Sequence, residues 1–401
     1  MLQSQVKNIS KKAMKIAFIG QKGIPAKSGG VEKHVEELAI RLVEKGNDVF
    51  VYARNNYTPK DLTEYKGIKL IHLPAISTKH LDAISYTFFA TIHALFHNYD
   101  VIHYHSIGPT SLSILIRIFK RKTALIATYH CQDYFHKKWN FLARTYLRFG
   151  EIITSLVPNK TIAVSKILGE YISKKFKKKP VVIPNGMNVF PTSGSQYLLK
   201  WNLQKGDYIL SVGRLIKHKG VAYLIEAFKN LEDKHLTRGK KLVIVGDGFY
   251  TDDYVKELKD LARGRDNIIF TGTQTDEALK QLFSHSYCFV QPSESEGLSL
   301  ALLEAMGYGK AILSSDIKEN LQALNSEISL SFRSGDAKDL EEKLVFMINN
   351  PALVKTMGEK AKYKAWDEFS WDKIVSQTEA VYLSVLSKKR RGFKKLHERI
   401  V

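Results

Sequence analysis

Two glutamates, Glu296 and Glu304, stand with seven residues between them in PSESEGLSLALLEAM, where an apolar, strand-like run gives way to a helical pattern. Carboxylates accept hydrogen bonds from hydroxyls, so the pair suits a polyol, and the amides of Gly297 and Leu298 at the helix start suit an anion. Glu296 has an ordinary alternative as a first-turn acid facing the helix dipole. Glu304 interrupts an apolar run, where an unpaired carboxylate is costly, and a functional account fits it better. Upstream, SVGRLIKHKG follows another strand-like run. After Gly213, Arg214 can fork across two phosphate oxygens and Lys219 can act as a point charge, a set that suits a diphosphate. A solvated basic loop is the alternative; the position past a strand's carboxyl end tips the balance towards function.

Near the N-terminus, GQKGIPAKSGG leads into a helical pattern, and Gly29 and Gly30 let backbone approach an anion. The stretch does not fit GxGxxG, and a plain glycine-permitted turn explains it equally well. Three histidines close two strand-like runs: His103 and His105 in DVIHYHSIGP, and His130 in TALIATYHCQD. Strand ends of an open sheet point them into one cleft. Single histidines are mostly structural, and no acid or cysteine stands at metal-ligand spacing beside these.

The elements that must position these residues follow from hydrophobic pattern. Strands are expected over 15–20, 48–54, 68–74, 100–106, 123–130, 161–165 and 180–184, then over 208–213, 241–246, 267–272, 287–292 and 311–315. Runs such as IAFIG and KLVIVG are apolar without alternation, as in parallel strands buried on both faces. Helices over 31–45 and 221–231 lie between them, giving repeated βαβ units. The fold class is α/β, with doubly wound Rossmann-like domains over 1–190 and 191–365. The boundary lies in the Gly-, Pro- and Ser-rich stretch near 186–200. The segment 366–387 reads as one helix that crosses back, with Ile374, Val375, Ala380, Val381 and Leu383 available to pack, and a basic tail ends the chain at 401.

At 401 residues and 44% hydrophobic content the chain is globular, neither disordered nor collagen-like. Two cysteines, Cys131 and Cys288, cannot build a disulfide framework, and a reducing compartment suits them. The net charge of +21 is segregated. Residues 1–190 hold 29 Lys and Arg against 12 Asp and Glu, 191–385 hold 25 against 27, and 386–401 hold seven against one. No signal peptide is recognisable, and the longest apolar stretch, 83–96, falls short of the roughly 20 residues that span a bilayer.

Together these residues resemble the family 4 retaining glycosyltransferases of the GT-B fold, over roughly 15 to 386. GQKGIPAKSGGVEKHVEELA, HYHSIGPTSLSI and TYHCQDYFHKKW look like the bacterial polysaccharide-assembly branch, and IPNGMNV is similar to the interdomain connector. SVGRLIKHKGVAYLIEAF and PSESEGLSLALLEAMGYGKAILSSDIKEN are similar to the donor-side signatures. The resemblance implies two domains facing across a cleft that closes on the donor. It implies that Arg214 and Lys219 hold the donor diphosphate, that Glu296 binds donor-sugar hydroxyls beside Gly297 and Leu298, and that Glu304 holds the ribose. Gly213 lies in the donor loop, and Gly29 and Gly30 approach the phosphates from the opposite domain. His130 matches the active-site histidine, with His103, His105 and Asp133 as acceptor-side candidates. Ser299 and Lys310 replace prolines common in the family, and Cys131 replaces a glycine.

The expectation is a metal-independent retaining hexosyltransferase that moves sugar from a nucleotide-diphosphate sugar to a lipid-linked glycan. No metal or other cofactor is expected, since cations and helix N-termini can serve the leaving group. The partners expected are the donor, a lipid-linked or glycan acceptor and an anionic membrane, met by 117–122, Lys137, Lys138, Arg144, Arg148, 174–179 and a tail carrying Phe393, Leu396 and Ile400. That places the chain in the cytoplasm, on the inner face of the plasma membrane. The rivals are an epimerase or hydrolase of the same fold, a silent sugar-binding member, and a basic membrane- or nucleic-acid-binding protein. No recognition helix, zinc finger or stacking pattern supports nucleic acid.

Overall fold

The structure is a computed structural model and describes residues 13–27, 29–76, 82–132, 134, 140–187, 189–248 and 251–397. Asp133, Lys137, Lys138 and Ile400 lie outside them.

The unalternating apolar runs of the first half pair into one sheet. Its strands are β1 (Lys15–Ile19), β2 (Asp48–Arg54), β3 (Glu64–Tyr65), β4 (Ile68–Leu73), β5 (Val101–His105), β6 (Ala124–Tyr129), β7 (Lys160–Ala163) and β8 (Val181–Val182). They lie in the order β3-β4-β2-β1-β5-β6-β7-β8, parallel except for the β3–β4 hairpin. In the second half β9 (Tyr208–Val212), β10 (Lys241–Val245), β11 (Ile268–Gly272), β12 (Cys288–Gln291), β13 (Ile312–Ser315) and β14 (Ser329–Phe332) form a parallel sheet ordered β11-β10-β9-β12-β13-β14. Each expected strand is present within a residue or two; the β3 hairpin and β14 are additions.

The strand order reverses beside β1, where β5 joins on the side away from β2, and beside β9, where β12 joins on the side away from β10. Crevices open at such reversals, outside the carboxyl ends of the strands. The Gly20–Gly30 loop leaves β1 at the first reversal. The loops after β9 and β12 leave at the second.

In the first half the helices are α1 (Gly30–Glu44), α2 (Asp82–Phe96), α3 (Ile107–Thr110), α4 (Ser113–Phe119), α5 (Phe141–Leu156) and α6 (Lys166–Phe176). In the second they are α7 (Val221–Asp233), α8 (Asp252–Leu261), α9 (Asp276–His285), α10 (Leu300–Gly307), α11 (Lys318–Leu321), α12 (Ala337–Asn349), α13 (Pro351–Phe369) and α14 (Trp371–His397). On α1, Val35, Leu38, Ala39 and Leu42 recur at helical spacing and are buried on one face of the first sheet. α2 and α4 cover the other face through Tyr86, Ala90, Ala94 and Ile116.

The segment 366–387 is two helices, not one. The break falls at Ser370, because Phe369 carbonyl accepts from Met187 N–H at 2.7 Å and the connector pairs there with Ser370. α14 then crosses back and buries Trp371, Ile374, Val375, Val381, Tyr382 and Val385 in the first domain's core. Ala380 and Leu383, expected to pack, are exposed, and Tyr382 takes the inward position instead. Phe393 and Leu396 fall on the last turns of α14.

Candidate functional site

On the second domain the loops after β9 and β12 are pressed together. Gly220 has φ +68°, and a β-carbon there would stand 1.9 Å from the Pro292 carbonyl oxygen. The Glu294 N–H donates to the His218 carbonyl at 2.8 Å. Only glycine permits this approach. It brings the Lys219 Nζ to 2.5 Å from Glu296 Oε1. Gln291 Nε2 and Ser293 Oγ each donate to the same oxygen at 2.7 Å. Burial pushes the Glu296 carboxyl upwards, but Lys219 and the Ser293 hydroxyl more than offset it, so it is held below the usual carboxylate range. Lys219, expected beside the donor diphosphate, is also half of an ion pair with Glu296, so the two residues form one unit.

Arg214 is exposed on the same loop, in a small pocket floored by Ser211, Gly213, Gln291 and Pro292. Ser299 N-caps α10, its Oγ accepting from Leu302 N–H at 3.4 Å, so serine supplies a cap where the family has proline. The amides of Gly297 and Leu298 just before it donate to no acceptor among the described residues.

Glu304 lies farther along α10, half-buried, and faces α1 of the first domain. Burial pushes its carboxyl up to about 7, Lys33 opposes the rise and Glu37 adds to it. Lys33 is itself paired with Glu37 at 2.8 Å, and Glu37 with Arg41 at 2.6 Å. The start of α1 is close by: a β-carbon on Gly30 would lie 3.7 Å from Leu300 Cδ1. Gly29, with φ +103°, caps that helix. Gly30 and Leu300 therefore meet across the interdomain cleft.

On the first domain Gly20 passes so tightly that a β-carbon would stand 2.3 Å from the His105 carbonyl oxygen. His105 Nδ1 lies 3.0 Å from His130 Nε2, one donating to the other. His34, on α1, meets His130 edge-on at 5.0 Å between ring centres. Its Nδ1–H donates to Asn185 Oδ1 at 3.0 Å, and Asn185 Nδ2–H donates to the Leu298 carbonyl at 2.7 Å. Burial, with His34 and His103 close by, drives the His130 imidazole well below its ordinary range, so it is neutral.

The expectation that all three strand-end histidines share the cleft is corrected. His103 is fully buried; Tyr382 OH and Thr128 Oγ1 each lie 2.7 Å from one of its ring nitrogens, so it fastens α14 to the sheet. His105 is buried behind His130. Lys310, the other residue standing where the family has proline, is engaged by its own domain: its ammonium donates to the carbonyls of Ser284 and Ser286 at 2.8 and 3.0 Å. Lys175, in the basic 174–179 run, is paired with Glu151 at 2.6 Å.

Among the described residues His34, His105 and His130 each offer a nitrogen within 4.8 Å of the others, the one group placed to hold a metal. One nitrogen of His105 is hydrogen-bonded to His130 and one of His34 to Asn185, while His105 Nε2 has no hydrogen-bond partner among the described residues. Sequence reasoning passed over His34, Asn185, Gln291 and Ser293. The first sat inside GGVEKHVEELA as one polar residue on an amphipathic helix, and the others had no pattern until the loops folded together.

Residues 28–189 match the family described as Glycosyltransferase Family 4, and residues 200–364 match the one described as Glycosyl transferases group 1. Over 390 residues the chain is 25% identical to O-antigen chain mannosyltransferase C of Escherichia coli, covering 94% of this chain and 100% of that one. Over 178 residues, 44% of each chain, it is 30% identical to the N,N'-diacetylbacillosaminyl-diphospho-undecaprenol alpha-1,3-N-acetylgalactosaminyltransferase of Campylobacter jejuni. Sucrose-phosphate synthase from Thermosynechococcus elongatus has a TM-score of 0.79 at 21% identity, over 93% of this chain and 99% of that one. Anabaena HepE, in complex with UDP and glucose, has 0.76 at 20%, over 92% of this chain and 100% of that one.

Proposed function

The chain is a glycosyltransferase of the GT-B fold, family 4-like in its first half and group 1 in its second, and from that premise we propose that it transfers a sugar, with retention, from a nucleotide-diphosphate sugar to a lipid-linked glycan in cell-surface polysaccharide biosynthesis. The observation that carries the reading is the Lys219–Glu296 pair at the β9/β12 reversal, flanked by Arg214 and the open amides of Gly297 and Leu298. Cations and amides suit a diphosphate; the adjoining carboxylate suits sugar hydroxyls. Glu296 keeps Oε2 for those hydroxyls, since its ion pair and both hydrogen bonds fall on Oε1.

In this reading Glu304 takes the ribose, and the α1 start at Gly29 and Gly30 meets the phosphates from the other side. The acceptor hydroxyl attacks the anomeric carbon on the face the diphosphate leaves. The bond to the acceptor oxygen forms as the bond to phosphate breaks, and the acceptor proton passes to the departing phosphate oxygen. With three donors on Oε1, Glu296 is a weak nucleophile, which favours this route over a covalent intermediate. Arg214, Lys219 and the amides stabilise the leaving group, so the reaction is metal-independent.

The relatives guide the acceptor. One is an O-antigen chain transferase and another acts on a diphospho-undecaprenol glycan, so a lipid-linked acceptor is the first to try. HepE's complex with UDP and glucose puts UDP-hexoses at the head of the donor panel. Product formed only with acceptor present, its anomeric configuration matching the donor's by NMR, supports the proposal. Donor turnover without acceptor supports an epimerase or hydrolase of the same fold.

The anionic membrane partner is part of the proposal. None of the helices searched among the described residues is long and apolar enough to cross a bilayer. Yet Phe96, Phe119, Phe141 and Leu142 on α2, α4 and α5 are 68–82% exposed. Arg117, Arg121, Lys122, Arg144 and Arg148, on or next to α4 and α5, are exposed as well. Aromatic anchors amid basic residues suit anionic headgroups, at about 1 kcal/mol per cation near the surface. Flotation with phosphatidylglycerol vesicles at low salt, lost in Phe119→Ser/Phe141→Ser, supports this surface. Absence of binding at any salt rejects it.

A further inference from the structure

The turn that carries His130 is tied on both sides to one buried carboxylate. Glu151, on α5, has no exposed surface. Tyr129, the last residue of β6, donates to Glu151 Oε1 at 2.7 Å. Tyr134, past the turn, donates to the same oxygen at 3.2 Å. Lys175 Nζ donates to Oε2 at 2.6 Å and to the Tyr171 hydroxyl at 2.7 Å. The Tyr171 and Tyr134 hydroxyls lie 3.0 Å apart, and Gln132 Nε2 donates to Tyr134 at 2.7 Å.

A buried carboxylate is expensive and persists where every lone pair is used. Here the two donors on Oε1 bracket the turn that begins at His130, where the chain leaves the sheet and meets the donor domain. The ladder of β6 ends at Tyr129, so strand pairing does not fix the residues beyond it. Past the turn, Tyr134 returns to the same anchor. Between the two tyrosines the His130 carbonyl abuts Gly297, where a β-carbon would stand 2.2 Å away.

We propose that Glu151 is a positioning residue for sugar transfer: through Tyr129 and Tyr134 it fixes the His130 turn against Gly297 and so sets the reacting geometry. The proposal rests on sugar transfer as the function of this cleft. Lys175 closes the anchor on its outer side and keeps water from the carboxylate. A carboxylate that merely held α5 to the sheet would change stability alone; one that fixes the turn changes turnover per folded molecule.

The test compares Glu151→Ala, Glu151→Gln, Tyr134→Phe and wild type. Glu151→Gln keeps an oxygen that both tyrosines can donate to. The expected result is kcat down about tenfold in Glu151→Ala and Tyr134→Phe, donor KM within about twofold of wild type, and kcat rescued to within about threefold in Glu151→Gln. Unchanged kcat in Tyr134→Phe, or donor KM rising in step with the loss, overturns it. If Glu151→Ala does not fold, Tyr134→Phe, which removes one hydroxyl and leaves no cavity, carries the comparison. Hydrogen exchange separates this from failure of the transfer reading. Should wild type turn over no nucleotide sugar, faster exchange in Tyr134→Phe confined to residues 130–134 still supports the anchor, and unaltered exchange there overturns it.

Discussion

The carbonyl oxygen of His130 lies so close to Gly297 that a β-carbon there would stand 2.2 Å away. Two domains meet at that point, the strand-end turn of the first and the loop before α10 of the second. In Gly297→Ala one of them must shift. The expected outcome is a loss of kcat of about 100-fold, since misplacement of an ångström is enough, with circular dichroism unchanged. Wild-type kcat in Gly297→Ala contradicts the contact.

Lys219 and Glu296 have side chains 17% and 8% exposed and act as a unit. Lys219→Met leaves an uncompensated carboxylate among buried groups and is expected to cost about 3 kcal/mol of stability. Lys219→Met/Glu296→Gln is expected to recover most of that in urea unfolding while transfer stays abolished. A double variant as unstable as Lys219→Met contradicts the pairing.

Glu304 gives the site a pH dependence. Burial pushes its carboxyl up to about 7, above the unfolded value, so the native state holds this proton more tightly. The stability it contributes is full below the ordinary carboxylate range and is lost as pH rises towards 7. Ribose hydroxyls need the ionised form as acceptor, so the Kd for a nucleoside diphosphate is expected to fall about tenfold between about pH 6 and about pH 8. Calorimetry on Glu304→Gln should show a flat profile; an equally steep one assigns the dependence elsewhere.

Trp371 opens α14 with its ring against Gly186, where a β-carbon would stand 2.4 Å from it, and edge-on to His34 at 5.3 Å. Removing so large a buried side chain leaves a cavity, and Trp371→Ala is expected to cost about 3–5 kcal/mol. Denaturant unfolding of the full chain measures it. A change below about 1 kcal/mol shows that α14 is not integral to the first domain.

Much of the fold is legible in the sequence because buried parallel strands are apolar without alternation. The pattern bounds β2 to the residue, and β9 and β12 place their loops where Arg214, Lys219 and Glu296 stand. The hidden features depend on contacts between distant segments. The break at Ser370 is made by Met187, far off in the chain, and no local breaker announces it. His103 looks like His130 in pattern, yet Tyr382 claims it for the core. Glu151 reads as one more polar residue of an amphipathic helix until Tyr129 and Tyr134 fold onto it.

The central claim is that Arg214, Lys219 and the α10 amides hold a nucleotide diphosphate without a metal. The direct measurement is isothermal titration of UDP, GDP, ADP and dTDP into the chain in excess EDTA, wild type beside Arg214→Ala and Lys219→Ala. One-to-one binding of at least one nucleotide by wild type is expected, weakened about 100-fold in each variant, a loss of the size expected for a charge-assisted phosphate contact. Binding that requires a divalent cation, or that survives both substitutions undiminished, contradicts it.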